Sequence, residues 1–178
     1  AMSTDQVAAF TISQLTFSAA QLSVFSAEQI EAFSPTEIAA LSTTQIRALT
    51  ATELTGLTDE QFAALTETQI AALMPAQVKV LTTTQVASLA STQLAALTAS
   101  QIGVMTTTQI GALTSDEMSA LATTQIAALP RTSVASLSET QIDALDATQL
   151  GALTSAQISS LTTTQIGYLS DDDIDAFS

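Results

Sequence analysis

The sequence predicts an all-α fold: a solenoid of 22 short capped helices of about two turns, one per eight-residue repeat, forming a single elongated superhelical array over residues 1–178. Three observations predict it. Two large apolar residues recur three apart in every octad. A Ser or Thr stands three residues before a Gln or Glu at the start of nearly every octad. Acidic residues and prolines collect in the positions just after that Ser or Thr.

The repeat starts at Ser3. Octads begin at 3, 11, 18, 26 and 34, and then every eight residues to 170. The single departure is the seven-residue step from Thr11 to Ser18, where one residue between Leu15 and Phe17 is missing. The fifth position is apolar in all 22 octads, and the eighth is Leu, Phe or Met in all 22. Gln fills the fourth position 17 times, with Glu37, Glu53, Glu117, Ser133 and Asp173 as the departures. The regularity marks one array without an internal linker or domain boundary.

A strand needs even spacings between its buried residues, whereas Ile46 and Leu49 lie three apart and the next apolar position follows after five. A spacing of three fits one helical face, and the abundance of Ala agrees. One continuous helix does not fit. Eight residues at about 100° each overshoot two turns by roughly 80°, so the apolar stripe would wind around the rod. The helix must break once per octad.

Three independent signals place the break. Ser42 with Gln45, Thr82 with Gln85 and Thr106 with Gln109 have the spacing of a capping box, in which the hydroxyl and the amide each satisfy the other residue's backbone N–H. The capping position is Ser, Thr or Asp in 18 of 22 octads; Met74, Ala90, Ala122 and Pro130 depart. Pro35 and Pro75 follow it directly, at the first helical residue, where a missing N–H costs nothing. Of 17 acidic residues, 13 occupy the first three helical positions, where the helix dipole favours negative charge. Each octad is therefore expected to be a helix of about seven residues joined to the next by a one-residue corner. Such a helix is too short to persist alone, so its Ile/Leu pair must be covered by neighbouring octads. The small sixth and seventh positions, as in Ala63-Ala64 and Gly111-Ala112, are expected to allow close approach. Phe10, Phe17, Phe25, Phe33 and Phe177 at the eighth position suggest atypical terminal octads that act as caps. Ala1, ahead of Met2, is read as a non-native residue.

Composition excludes several function classes. Three Lys and Arg against 17 Asp and Glu give a net charge of -14, which argues against nucleic acid and against an anionic membrane surface. No apolar run is long enough to insert into a bilayer, and no signal peptide is visible. With no Cys and no His, zinc sites, thiol nucleophiles and Ser-His-Asp triads are excluded by inventory. The acidic pairs Asp59-Glu60 and Asp116-Glu117 sit at helix starts, where dipole and cap account for them. No enzyme activity and no cofactor are expected. Asp171, Asp173 and Asp175 match the first ligands of a calcium loop, but the glycine and closing glutamate of such a loop are missing. Tyr168, Met74, Met105 and Met118 are expected to pack.

The candidate exposed face is threonine-rich: Thr43, Thr44, Thr83, Thr84, Thr107, Thr108, Thr123, Thr124, Thr163 and Thr164. Their plainest role is as solvated first-turn residues beside a cap. The sharper alternatives are O-glycosylation or a regular hydroxyl array for ice, glycan or protein. Ala, Pro, Asp, Glu and Arg at equivalent positions weaken the ice reading.

The runs Leu81–Leu89, Met105–Leu113 and Leu161–Leu169 follow the pattern Leu-Thr-Thr-Thr-Gln-Ile-Ala-Ala-Leu. This resembles the Thr/Gln/Ala/Leu repeat tracts of very large bacterial secreted or surface proteins, some of them adhesin-like or RTX-like, although the glycine-rich calcium nonapeptides of RTX proteins are absent. The resemblance spans essentially the whole chain. It implies an extracellular or cell-surface spacer with flanking domains in a longer polypeptide, with a protein or glycan partner or self-association, and it carries over no binding residues.

Overall fold

The computed structural model describes residues 2–177; Ala1 lies outside them. Among these residues the secondary structure is entirely helical. Twenty-one α-helices and one 3-10 helix follow one another, one per octad, from Thr4–Ala8 to Asp171–Asp175. They form two compact units, one running through Ala96 and the other starting at Leu97.

The octad folds the same way nearly everywhere. Thr106 is extended, with φ -77° and ψ 160°. Its hydroxyl accepts from the Gln109 N–H at 3.2 Å, and Gln109 Oε1 accepts from the Thr106 N–H at 2.8 Å. The helix Thr107–Gly111 follows. At its end the Leu113 N–H bonds to the Ile110 carbonyl at 3.1 Å, a tight closing turn, and Thr114 is extended again at ψ 167°. The α-helices are four to six residues long and the 3-10 helix three, shorter than the seven expected. The reason is visible at Leu41, whose N–H closes on Ile38 while its own ψ of 139° already leaves the helix. The corner therefore takes in the eighth residue as well as the cap.

Helices pack three octads apart. In the first unit Pro35–Ala40 lies against Asp59–Ala63, and Thr43–Ala48 against Glu67–Ala72. In the second, Thr107–Gly111 lies against Arg131–Val134, and Ser115–Ser119 against Glu139–Asp143. The fifth-position side chains Ile38, Ile46, Ile102 and Ile110 are wholly buried, and the eighth-position Leu41, Leu49, Met105 and Leu113 beside them are nearly so. Each such burial contributes about 1.5–3 kcal/mol, which is what holds helices too short to stand alone.

The expected role of the small sixth position needs correcting. Ala63, Ala71, Ala95 and Gly111 are exposed, and a Cβ built on Gly111 would meet nothing within 4 Å. The side chain at this position points outward, because fifth and eighth positions already fill the inward face. Close approach occurs only locally: a Cβ on Gly151 would stand 2.9 Å from the Ala176 carbonyl oxygen. Met105 and Met118 are buried, but Met74 sits at a cap and is exposed.

The terminal octads differ from the rest. The shortened octad from Thr11 forms the 3-10 helix Ile12–Gln14, and the Thr11 hydroxyl donates to Gln14 Oε1 at 2.9 Å instead of accepting from the backbone. Phe10, Phe17 and Phe25 run ring to ring, with centroids 5.2 Å apart at each step, and Phe33 continues the row at 6.1 Å. At the other end Ile166 and Ile174 occupy core positions yet are 49% and 47% exposed, since no octad among the described residues packs over them.

Candidate functional site

The fourth position is where the fold concentrates its polar chemistry. Its glutamines are buried through most of both units. Each Oε1 accepts from the N–H of its own cap, as at Ser42 (2.7 Å), Thr66 (2.7 Å) and Ser138 (3.2 Å). The Nε2 points the other way and donates to backbone carbonyls four octads earlier. Gln69 donates to Ile38 at 3.0 Å and to Leu41 at 2.7 Å. Gln77 donates to Ile46 at 3.0 Å and Leu49 at 2.9 Å. In the second unit Gln157 donates to Ile126 and Leu129, both at 2.9 Å, and Gln165 to Val134 and Leu137 at 2.8 and 3.0 Å. The acceptors are fifth- and eighth-position carbonyls, joined at Gln61, Gln93 and Gln149 by the sixth-position carbonyls of Glu31, Ala63 and Ser119 at 3.0 Å, and they include orphan groups at each short helix's end. One side chain thus starts its own helix and finishes another.

Helices pack three octads apart while glutamines reach four octads back, so one turn of each coil holds between three and four octads.

The departures from the Ser/Thr and Gln pattern are informative. At Met74, Ala90 and Ala122 no hydroxyl exists, and only the glutamine half of the cap survives, with cap N–H distances of 2.9, 2.7 and 2.8 Å. Glu53 accepts from the Thr50 N–H at 2.5 Å through Oε2, but its buried Oε1 has no partner. A carboxylate oxygen there cannot donate to a carbonyl. Ser133 is completely buried and its hydroxyl has no partner either. It belongs to the octad capped by Pro130, which has no N–H for a glutamine to accept.

The sequence pattern signalled the cap but not the second bond. The available signal was the excess of Gln over Glu at the fourth position, 17 against three, in a chain that places acids freely in the two positions before it. A cap alone is served equally by either residue; only an amide also donates.

The threonine face is solvent-facing. Thr44, Thr83, Thr84, Thr107, Thr108, Thr123, Thr124, Thr163 and Thr164 are exposed and Thr43 is half-buried. The third-position hydroxyls are partly engaged: Thr108 Oγ1 lies 2.9 Å from Thr106 Oγ1, and Thr84 Oγ1 3.3 Å from Thr82 Oγ1. The structure does not stack these pairs turn on turn within a unit. Thr43 and Thr83 stand five octads apart, Thr107 and Thr123 two, and Thr123 and Thr163 five, whereas stacked octads are three or four apart.

Asp173 accepts from the Ser170 N–H at 2.9 Å and from the Ser170 hydroxyl at 2.7 Å. Those two bonds, the backbone one foremost, hold its carboxyl below the usual range. Among the described residues no three carboxylates are grouped to hold a metal ion, and no helix is long and apolar enough to cross a membrane. A surface groove of about 420 Å³ in the first unit, between Leu65 and Gln93, contains Glu67 as its one titratable side chain. A smaller cleft of about 210 Å³ in the second unit is apolar and lined by Ile158, Leu161, Ile166, Leu169, Ile174 and Phe177.

No curated protein matches the chain. A family model does, three times, at residues 38–75, 88–123 and 142–178, ranges made of the octads described above. These matches cover more than half of the chain, which therefore belongs to the ALTTAQ repeat family.

Proposed function

We propose that the chain is a non-catalytic structural spacer segment of a bacterial surface or secreted protein. The observation that carries this reading is the closure of the octad on itself. Cap, glutamine and apolar pair are all consumed in joining one turn to the next, as in Gln69 with Ile38 and Leu41. Additional octads extend such an array without new chemistry, which suits a segment whose task is to set a distance. The net charge of -14 keeps such a segment soluble. The test places fluorescent domains at both ends of arrays that differ by whole sets of octads. A spacer gives an end-to-end distance that grows steadily with octad number. A distance independent of octad number would overturn the reading.

The alternative is a binding module for ice, glycan or protein on the threonine face. The exposure of Thr83, Thr107, Thr123 and Thr163 favours it; the lack of turn-on-turn stacking within each unit weighs against a flat array. Thermal hysteresis or glycan binding that is lost when these four become Lys would support this alternative over the spacer alone.

A further inference from the structure

The octad from Pro130 departs from the pattern at the position that ties turns together. Ser133 stands where the octads on either side carry glutamine, and it is wholly buried with its hydroxyl unpartnered. Those neighbours show what an amide at this place would reach. Gln125 donates to the Leu97 carbonyl at 2.7 Å, and Gln141 to those of Ile110 and Leu113, both at 2.9 Å. Ile102 and Met105 lie 31 and 28 residues before Ser133, the separations that Gln141 spans to Ile110 and Leu113. Both residues are buried. The Ile102 carbonyl accepts from the Met105 N–H at 3.1 Å in the usual closing turn, whereas the Met105 carbonyl has no donor among the described residues.

We propose that a buried water molecule takes the place of the amide and joins Ser133 to Ile102 and Met105. Its two protons go to the two carbonyls, and its oxygen accepts from the Ser133 hydroxyl. Three bonds are the usual complement of a buried water. The room comes from the side chains. Serine ends one atom beyond Cβ, so the amide group that fills this place at Gln125 and Gln141 is absent, and a water takes about 30 Å³. The helix Arg131–Val134 still packs on Thr107–Gly111, as Glu139–Asp143 packs on Ser115–Ser119. A hydroxyl and a carbonyl buried without partners are costly, and water supplies the acceptor for one and the donor for the other. Pro130 explains why water serves here. With no N–H at the cap, the Oε1 of a glutamine would lack its partner, whereas water needs nothing from the cap. The turn from Pro130 is thereby tied to its neighbour through solvent, and the tie exchanges with bulk water whenever that turn opens.

Oxygen-17 magnetic relaxation dispersion of the 178-residue chain tests the proposal, because it counts waters held longer than nanoseconds and is blind to exchanging hydroxyl protons. The double variant P130T/S133Q restores cap and amide together. It is expected to hold one long-lived water fewer than the parent chain, with an unchanged circular dichroism spectrum. A crystal structure of the parent chain is expected to show a water about 2.7–3.2 Å from Ser133 Oγ and from both carbonyl oxygens. An equal count of long-lived waters in the two chains overturns the proposal. So does a Ser133 hydroxyl turned back onto the Leu129 or Pro130 carbonyl with no water beside Met105. If the double variant loses its helical spectrum, the crystal structure of the parent chain decides alone.

Discussion

Gln141 Nε2 lies 2.9 Å from the carbonyl oxygen of Leu113, a residue 28 positions earlier, and also 2.9 Å from that of Ile110. At the same time its Oε1 accepts from the Ser138 N–H at 3.2 Å. The side chain is a two-ended connector between a helix start and a helix end on another turn.

Replacing Gln141 with Glu separates the two ends of that connector. The cap acceptor remains and the donor is lost, which leaves two buried carbonyls facing a carboxyl oxygen. The expected loss of stability is about 1–3 kcal/mol, read as a lower urea midpoint. A midpoint equal to that of the parent chain would show that the turn-to-turn bond contributes nothing.

The reverse substitution should stabilise. Glu53→Gln places an amide where the unpartnered Oε1 now sits, and the stability gain is expected to be about 1–3 kcal/mol. An unchanged or lower midpoint would mean that the site does not accept the amide orientation seen at Gln61 and Gln69.

The octad from Pro130 provides a coupled case. Ser133→Gln alone supplies the donor but leaves Oε1 without a cap N–H, because proline has none. Pro130→Thr restores that N–H and the capping hydroxyl. The double variant is expected to gain more than the sum of the single changes, with a coupling of about 0.5–3 kcal/mol for groups in direct contact. Simple additivity in a double-mutant cycle would reject the proposed link between these two departures.

Two glycines at the same octad position are expected to respond oppositely to Ala. Gly111 has open space around its Cβ direction and lies at the end of a helix, so Gly111→Ala is expected to stabilise by about 0.5–1 kcal/mol. Gly151 would bring a Cβ to 2.9 Å from the Ala176 carbonyl. Gly151→Ala is therefore expected to loosen the last octad, seen as faster amide exchange over residues 171–177. Equal behaviour of the two variants would contradict the assigned surroundings.

Asp173 links the last octad to pH. Its folded carboxyl titrates below its unfolded value because the Ser170 N–H and hydroxyl favour the charged form. A lowered folded value means the contribution is present above the unfolded pKa and is lost as pH falls through the folded one. The last helix is accordingly expected to loosen on acidification below the ordinary carboxylate range. Ser170→Ala, which keeps the N–H and removes the hydroxyl, should move the Asp173 titration part of the way back up in a carboxyl NMR experiment. No movement would show that the hydroxyl bond is not formed in solution.

The helical octad, its start at Ser42 or Thr106, and its buried pair at the fifth and eighth positions were legible in the sequence because each rests on local chemistry. A hydroxyl three residues before an amide caps a helix wherever it occurs, and a spacing of three selects one helical face. What the chain could not reveal alone was which octads meet. Tertiary structure decided that helices pack three octads apart and glutamines bond four octads back. It also decided that Gln69 is buried, that Gly111 faces solvent while Gly151 faces a backbone carbonyl, and that the threonine pairs do not stack within a unit. The physical reason is the rotation accumulated at each corner. It depends on where the eighth residue, such as Leu41, leaves the helix, and a pattern repeated in nearly every octad carries no mark of which copy it will touch.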